Sequence, residues 1–135
     1  MSRWRGTGVL LAVVALVALG GCGRDDFKND PRPPVPLEAT VEITDSKVQV
    51  SPESFGAGLV NFTIANNSSG DAVFALTGKT DATSEPIPAN GNTTFKVPME
   101  TGAYEAGVYR KDSIKKARIA VGSERASAQN DLLLP

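Results

Sequence analysis

Short runs in which apolar and polar residues alternate are the feature that most restricts how this 135-residue chain folds. The clearest run places Val60, Phe62 and Ile64 at every second position, with polar or small residues between them. A period of two puts these three side chains on one face of a β-strand. Similar runs recur over residues 38–122, where the sequence has no helical periodicity. The chain therefore favours an all-β domain.

Clusters of Gly, Pro, Asn, Asp and Ser separate these runs and predict turns. Residues 55–58 and 66–71 are predicted turns, and residues 77–92 predict a long loop. Pro52 and Pro98 are expected to end strands, because proline cannot donate a hydrogen bond to a strand ladder. About seven short strands with such turns indicate an antiparallel Greek-key β-sandwich, either cupredoxin-like or immunoglobulin-like.

The alternating positions predict a small core that is viable without disulfide bonds. Tyr104, which follows Gly102 at a strand start, resembles the tyrosine corner of Greek-key sandwiches, where the hydroxyl bonds nearby backbone. The predicted core consists of Val41, Ile43, Val48, Val50, Phe55, Val60, Phe62, Ile64, Phe74, Leu76, Ile87, Phe95, Val97, Tyr104, Val108, Ile119 and Val121.

The N-terminus has the organisation of an export signal. Two arginines precede an apolar run over residues 9–19, which is too short for the roughly 20 apolar residues of a membrane-spanning helix. The run ends in Leu19-Gly20-Gly21-Cys22, which resembles the lipobox of bacterial lipoproteins. The resemblance implies cleavage after Gly21 and diacylation of the Cys22 sulfur, with Cys22 as the first residue of the mature chain.

An ordinary secretory signal is the alternative to this lipoprotein interpretation. Cys22 is the only cysteine and therefore has no disulfide partner within the chain. Acylation would account for a lone thiol in an exported protein. We therefore expect the domain to be held on the extracytoplasmic face of the cell membrane through lipidated Cys22.

Four segments follow from this organisation. Residues 1–21 form the signal peptide, and residues 22–37 form a tether with four prolines, which favour an extended polyproline conformation. Residues 38–122 form the sandwich domain. Residues 123–135 form a polar tail ending in three leucines, either packed on the domain, disordered, or used for docking.

Composition excludes most catalytic chemistry. The chain has no histidine, which removes the usual general base and the usual zinc ligand. Motifs for a nucleophilic serine, a phosphate loop or an EF-hand are missing from the sequence. The formal net charge of −1 becomes −3 without residues 1–21, because two of the fourteen basic residues and none of the fifteen acidic ones lie there. We expect no enzyme, no cofactor and no nucleic-acid partner.

Scattered carboxylates are expected to face solvent, although a pair of them meeting in space would form a calcium or acid–base site. These carboxylates are Asp71, Asp81, Glu85, Glu100 and Glu105.

Five basic residues are concentrated around the last hairpin and form a candidate anionic-surface patch. On a tethered domain such a patch would face anionic lipid headgroups, an acidic envelope polymer or an envelope protein. The alternative is a solvated hairpin whose charges protect an edge strand, and this alternative is favoured. The five residues are Arg110, Lys111, Lys115, Lys116 and Arg118.

The order of the segments resembles the cupredoxin fold of small blue-copper proteins. Residues 52–67 are similar to that family's proline, glycine turn and strand ending in Asn, and Phe95-Lys96-Val97 with Gly102-Ala103-Tyr104 is similar to a later strand and its Pro-Gly-x-Tyr, with Thr101 in place of the proline. The resemblance covers roughly residues 41–122.

The copper ligands of that family are missing from the sequence. The resemblance places the first histidine near Ala72 and the cysteine near Val108, and Met99 lies before the relevant strand. Type 1 copper needs a thiolate and two imidazoles, so no metal is expected. The sequence therefore predicts a lipoprotein with a non-catalytic binding or accessory domain. Two alternatives are a copper or calcium carrier with oxygen ligands and an unrecognised envelope hydrolase.

Overall fold

The computed structural model describes residues 33–127, and this part of the chain contains strands and loops and no helix. There are eight strands: β1 (Leu37–Ile43), β2 (Val48–Ser51), β3 (Ser54–Asn66), β4 (Phe74–Thr77), β5 (Ala82–Thr83), β6 (Asn92–Met99), β7 (Gly102–Val108) and β8 (Ala117–Glu124). Residues 1–32 and 128–135 lie outside the described part, and with them the predicted signal peptide, Cys22 and the three terminal leucines. Within residues 33–127 the structure has no helix long and apolar enough to cross a membrane.

The strands form two sheets that share β3. The first sheet has the order β2-β1-β3-β6, and the second has the order β3-β8-β7-β4-β5. The 13 residues of β3 are long enough to take part in both, with residues 54–57 in the second sheet and residues 58–66 in the first. The predicted all-β sandwich is confirmed.

Two pairings differ from the predicted antiparallel arrangement. Strand β1 runs parallel to β3, from Leu37 beside Val60 to Ile43 beside Asn66, and the start of β3 runs parallel to β8. The other pairs, which are β1–β2, β3–β6, β4–β5, β4–β7 and β7–β8, are antiparallel. The sandwich is therefore mixed, and the short β5 makes eight strands where about seven were predicted.

The predicted turn at residues 55–58 is wrong, because these residues belong to β3. The register shifts between Gly56 and Ala57, where the strand leaves β8 and moves into the first sheet. A Cβ on Gly56 would lie 2.7 Å from the carbonyl oxygen of Ser123, so only glycine fits beside β8. Gly58 has φ of 133°, which side-chain-bearing residues rarely adopt. The glycines mark a crossing between sheets, not a reversal of the chain.

The predicted strand end at Pro98 and the predicted loop over residues 77–92 also differ from the structure. Pro98 does not end β6 but lies within it, opposite Leu59. A proline is tolerated there because β6 is an edge strand with one unpaired side. The predicted loop over residues 77–92 contains β5 and a bridge between Ala72 and Ile87.

The core lies between the two sheets and follows the predicted alternation closely. Phe62 and Phe74 are fully buried with ring centroids 5.8 Å apart, while Phe55 and Phe95 are half-buried at its margin. The predicted core leaves out six buried hydrophobic residues, which are Ala39, Ala57, Ala72, Met99, Ala106 and Ile114. Most of them are alanines, whose small side chains give little hydrophobic signal.

Tyr104 forms the predicted tyrosine corner. Its ring is buried, and its hydroxyl oxygen accepts a hydrogen bond of 3.1 Å from the backbone nitrogen of Glu100. Gly78 lies against the ring, since a Cβ there would come within 2.5 Å of Tyr104 Cδ1. This corner fixes the turn between β6 and β7.

The sandwich has two ends with different loops. The entry end is where residues 33–36 lead into β1, close to Gly58 and the β6–β7 turn. The distal end holds residues 44–47, 67–73 and 109–116. The seven residues of β1 separate the two ends by about 20 Å, at about 3.3 Å per residue.

Candidate functional site

The turn after β3 is held at the distal end by one buried side chain. Asn66 is fully buried, and its amide nitrogen donates to the carbonyl oxygens of Gly70 and Ile87 at 2.9 Å and of Pro88 at 3.1 Å. Its amide oxygen accepts from Ser68, at 3.1 Å from the backbone nitrogen and 2.6 Å from Oγ. Every polar atom of the Asn66 side chain is thus used internally, which is typical of a structural residue.

Asp45 joins the first distal loop to this turn. Its carboxylate accepts hydrogen bonds from the backbone nitrogen of Ser69 at 2.9 Å and from Ser69 Oγ at 2.8 Å. The bond from the Ser69 backbone and then the bond from its hydroxyl lower the pKa of Asp45 below its ordinary value. Desolvation partly offsets this lowering, and the charge of Lys111 makes a lesser contribution in the lowering direction. The bonds cap a turn, so the shift reflects loop structure.

The loop between β7 and β8 is fixed by its backbone and one apolar anchor. Ile114 is buried, and the backbone nitrogen of Tyr109 donates to the Val73 carbonyl at 2.8 Å. The Lys111 ammonium donates to the Asp71 carbonyl at 3.1 Å. The basic residues at this end are therefore carried by an ordered loop.

Tyr109 and Arg110 form an exposed pair at the tip of that loop. The Arg110 guanidinium lies 4.9 Å from the centroid of the Tyr109 ring, and Tyr109 is 48% exposed. Arg110 has φ of 58°, in the left-handed region that is costly for side-chain-bearing residues. A glycine would relieve this strain, so the arginine is present despite a cost in stability.

The five predicted basic residues do not form one patch. Arg110 and Lys111 lie at the tip of the β7–β8 loop, whereas the other three line a separate groove beside β2 and β8. We call this the basic groove; its lining is Lys47, Val48, Gln49, Glu53, Glu105, Lys115, Lys116, Ala117 and Arg118.

Lys47 is a groove residue that sequence reasoning missed. It lies next to Lys115 in a parallel bridge, where Lys115 N donates to the Ser46 carbonyl at 2.9 Å and Val48 N donates to the Lys115 carbonyl at 2.8 Å. The two lysines are far apart in sequence, so no local charge pattern joins them. Only the pairing of the two distal loops brings them together.

The positions where the cupredoxin resemblance places copper ligands are apolar and buried. Ala72 is 2% exposed and Val108 is 4% exposed, and the neighbouring Phe74 is the register partner of Val108. Methyl and isopropyl groups donate no electron pair to a metal. Ala72 and Val108 therefore cannot ligate type 1 copper.

The scattered carboxylates occupy separate places. Asp81 accepts a hydrogen bond of 3.0 Å from the Gly78 nitrogen in its own turn, Glu85 lies in the loop between β5 and β6, and Glu105 lines the basic groove. Asp71 lies at the distal end and Glu100 at the entry end. Within residues 33–127, no group of three or more acidic, His or Cys side chains is placed to hold a metal ion.

Comparison with protein-family models and with curated proteins gives no match. Among solved structures, the chain is similar to one described as a multicopper oxidase, with 12% sequence identity and a TM-score of 0.49. The match covers 67% of this chain and 46% of the other, so this chain spans about half the length of that protein.

Proposed function

We propose that this protein is a membrane-anchored extracytoplasmic lipoprotein whose cupredoxin-like domain is a non-catalytic binding or accessory module. Lipidated Cys22 would hold the chain at the membrane, and residues 22–37 would connect the anchor to β1. We assign the cupredoxin-like form because β3 is shared by two sheets and pairs in parallel with both β1 and β8.

The arrangement of the two ends carries the proposal. The connecting segment reaches the domain at the entry end, and the exposed Tyr109–Arg110 pair and Lys111 lie at the distal end. A chain anchored through residues 22–37 would therefore present its basic loops away from the point of attachment. Tyr and Arg are the residues that most often dominate binding energy at protein surfaces.

A binding role also agrees with the chemistry of the described residues. Ala72 and Val108, near which the cupredoxin resemblance places copper ligands, are buried and apolar. The lowered pKa of Asp45 comes from a capped turn. These observations favour recognition over electron transfer or hydrolysis. The partner would be an envelope component of negative charge.

The anchoring proposal is tested by the intact mass and metal content of the protein isolated from membranes. We expect a chain that begins at Cys22, carries two acyl groups on its sulfur and contains no stoichiometric copper or calcium. A Cys22→Ala variant, as the matched control, should leave the membrane fraction while its domain keeps the same unfolding midpoint. An unmodified N-terminus in membrane-bound protein would contradict the anchor, and stoichiometric metal would contradict the metal-free binding module.

A further inference from the structure

We propose that the basic groove binds the phosphate ester of a polyhydroxy compound, such as a glycerol phosphate group. This inference rests on the proposed binding role and narrows it to one ligand chemistry. The groove is lined by four cations, namely Lys47, Lys115, Lys116 and Arg118, and by two carboxylates, Glu53 and Glu105.

The cations are positioned by the backbone of both sheets. The bridge between Lys47 and Lys115 fixes two lysines side by side, one on the loop before β2 and the other on the loop before β8. Arg118 lies on β8, three residues after Lys115, and its side chain is exposed toward solvent. The positive charges of these side chains repel one another, and an anionic ligand would relieve that repulsion.

Most of these cations are not neutralised by the protein. In the described part of the chain, the one ion pair within 4.0 Å joins Lys116 Nζ to Asp112 at 3.8 Å. Glu105 is the register partner of Arg118 on β7, yet their charged groups form no ion pair. The groove therefore has positive charge available for a ligand.

Lys116 owes its position to a glycine. A Cβ on Gly107 would lie 2.9 Å from Lys116 Cγ and 3.4 Å from its Cδ, so the lysine stem lies across Gly107 on β7. Any larger residue at position 107 would displace the stem. The ammonium at the end of this stem lies 3.8 Å from the Asp112 carboxylate.

The mixture of groups favours a phosphate ester over a simple anion. The planar guanidinium of Arg118 matches two phosphate oxygens at once, and lysine ammonium groups add point charges around them. Glu53 and Glu105 repel a bare anion but accept hydrogen bonds from hydroxyl groups. A phosphate with neighbouring hydroxyls satisfies both kinds of residue.

The test is a calorimetric titration of sn-glycerol 3-phosphate into the lipidated mature protein in a non-ionic detergent. We expect saturable binding that weakens with added salt. A Lys115→Gln/Arg118→Gln double variant should bind at least tenfold more weakly. Lys96→Gln is the matched control, because Lys96 lies on β6 of the first sheet, and it should bind within twofold of the unaltered protein.

The role of the carboxylates has its own measurement. Inorganic phosphate lacks hydroxyl neighbours and should bind more weakly than sn-glycerol 3-phosphate. A Glu53→Gln/Glu105→Gln variant should reduce this preference while binding inorganic phosphate more tightly. An unchanged preference in this variant would overturn the polyol part of the inference.

The source of the phosphate is distinguished by vesicles. Binding to phosphatidylglycerol vesicles over phosphatidylcholine vesicles, lost in the double variant, assigns the groove to a lipid headgroup. Binding of soluble sn-glycerol 3-phosphate without vesicle preference assigns it to a free or polymeric phosphate ester. For the vesicle arm, the Cys22→Ala form removes the contribution of the acyl chains.

Equal affinity of the double variant and the Lys96→Gln control would overturn the inference, as would no binding of either phosphate or of the anionic vesicles. Such a result leaves the anchor proposal standing if the intact mass shows lipidated Cys22. Conversely, an unmodified N-terminus with groove-dependent phosphate binding would contradict only the anchor.

Discussion

Two neighbouring loops at the distal end of the sandwich use polar residues in opposite ways. The turn at residues 66–71 directs the Asn66 amide inward, where every polar atom of this side chain finds a backbone or Ser68 partner. The loop at residues 109–116 directs charge outward and keeps Arg110 in a strained left-handed conformation. The first loop is built for stability, and the second gives up some stability to present its side chains.

The contrast between these two loops separates polar residues that stabilise the fold from polar residues that are available for binding. A polar group whose hydrogen bonds are satisfied inside the protein contributes to folding and has little left to offer a ligand. Cations that lack a carboxylate partner in the described chain, on an ordered loop, remain available. Substitutions in the two loops should therefore separate stability from binding.

The largest expected effect is in the inward turn. Asn66→Ala removes a buried amide and leaves the carbonyls of Gly70, Ile87 and Pro88 without this donor. We expect the free energy of unfolding to fall by about 3 kcal/mol, since buried unsatisfied groups each cost about 1–3 kcal/mol. Urea denaturation measures the change.

Asn67→Ala is the control for this prediction. Asn67 is exposed, and its side chain makes a hydrogen bond of 3.0 Å to Glu42 on the sheet surface. Its substitution should cost less than about 1 kcal/mol. Similar losses of unfolding free energy in the two variants would contradict the claim that the buried Asn66 amide is specifically required for stability.

At the entry end, loss of one internal hydrogen bond should also lower the free energy of unfolding, but by less than the loss of the Asn66 amide. Tyr104→Phe removes the hydroxyl that accepts from the Glu100 nitrogen while keeping the buried ring. We expect a loss of about 1 kcal/mol in the free energy of unfolding, which is typical of one hydrogen bond. A urea titration that shows no change would mean that the corner does not stabilise the β6–β7 turn.

In the loop at residues 109–116, substitution of the strained residue should not lower the free energy of unfolding. Arg110→Gly relieves a positive φ, which costs about 1 kcal/mol for a residue with a side chain, although glycine also loses more entropy on folding. We expect unfolding stability to stay level or rise slightly. Arg110→Ala keeps the strain without the guanidinium and is the control. A clear loss of stability in the glycine variant would show that Arg110 is structural.

The smallest effect concerns pH. The hydrogen bonds from Ser69 lower the pKa of Asp45 in the folded state, so the carboxylate stabilises the fold above its ordinary pKa. This contribution is lost as the pH falls from that ordinary value through the lowered one. In Ser69→Ala, NMR titration should show the Asp45 pKa moving up toward its ordinary value. An unmoved pKa would remove Ser69 Oγ from the causes of the shift.

The sequence was sufficient for the strands but not for their crossing. Alternation at Val60, Phe62 and Ile64 follows directly from a buried face, and these residues are fully buried. Gly56 and Gly58 led to the prediction of a turn, because glycine is common both in turns and where two backbone segments pass close together. Local sequence does not distinguish these two uses, so the parallel pairing of β3 with β8 was missed.

The lining of the basic groove could also be predicted only in part from the sequence. Lys115, Lys116 and Arg118 are a visible cluster in the sequence, whereas Lys47 joins them only through a pairing of two loops. Asn66 likewise appears in a run of turn residues, and nothing local indicates that its side chain is buried. Sequence patterns report neighbours along a strand, and these features depend on neighbours across the fold.

The separation of stability from binding is tested most directly by urea unfolding with and without sn-glycerol 3-phosphate. A ligand at ten times its dissociation constant should raise the free energy of unfolding by about 1.4 kcal/mol. We expect this increase in the unaltered protein and an increase of no more than about 0.4 kcal/mol in Lys115→Gln/Arg118→Gln, because a tenfold weaker affinity puts the ligand at its dissociation constant. The stability of the double variant without ligand should match that of the unaltered protein. An equal increase in both proteins, or a double variant that is much less stable without ligand, would contradict this separation.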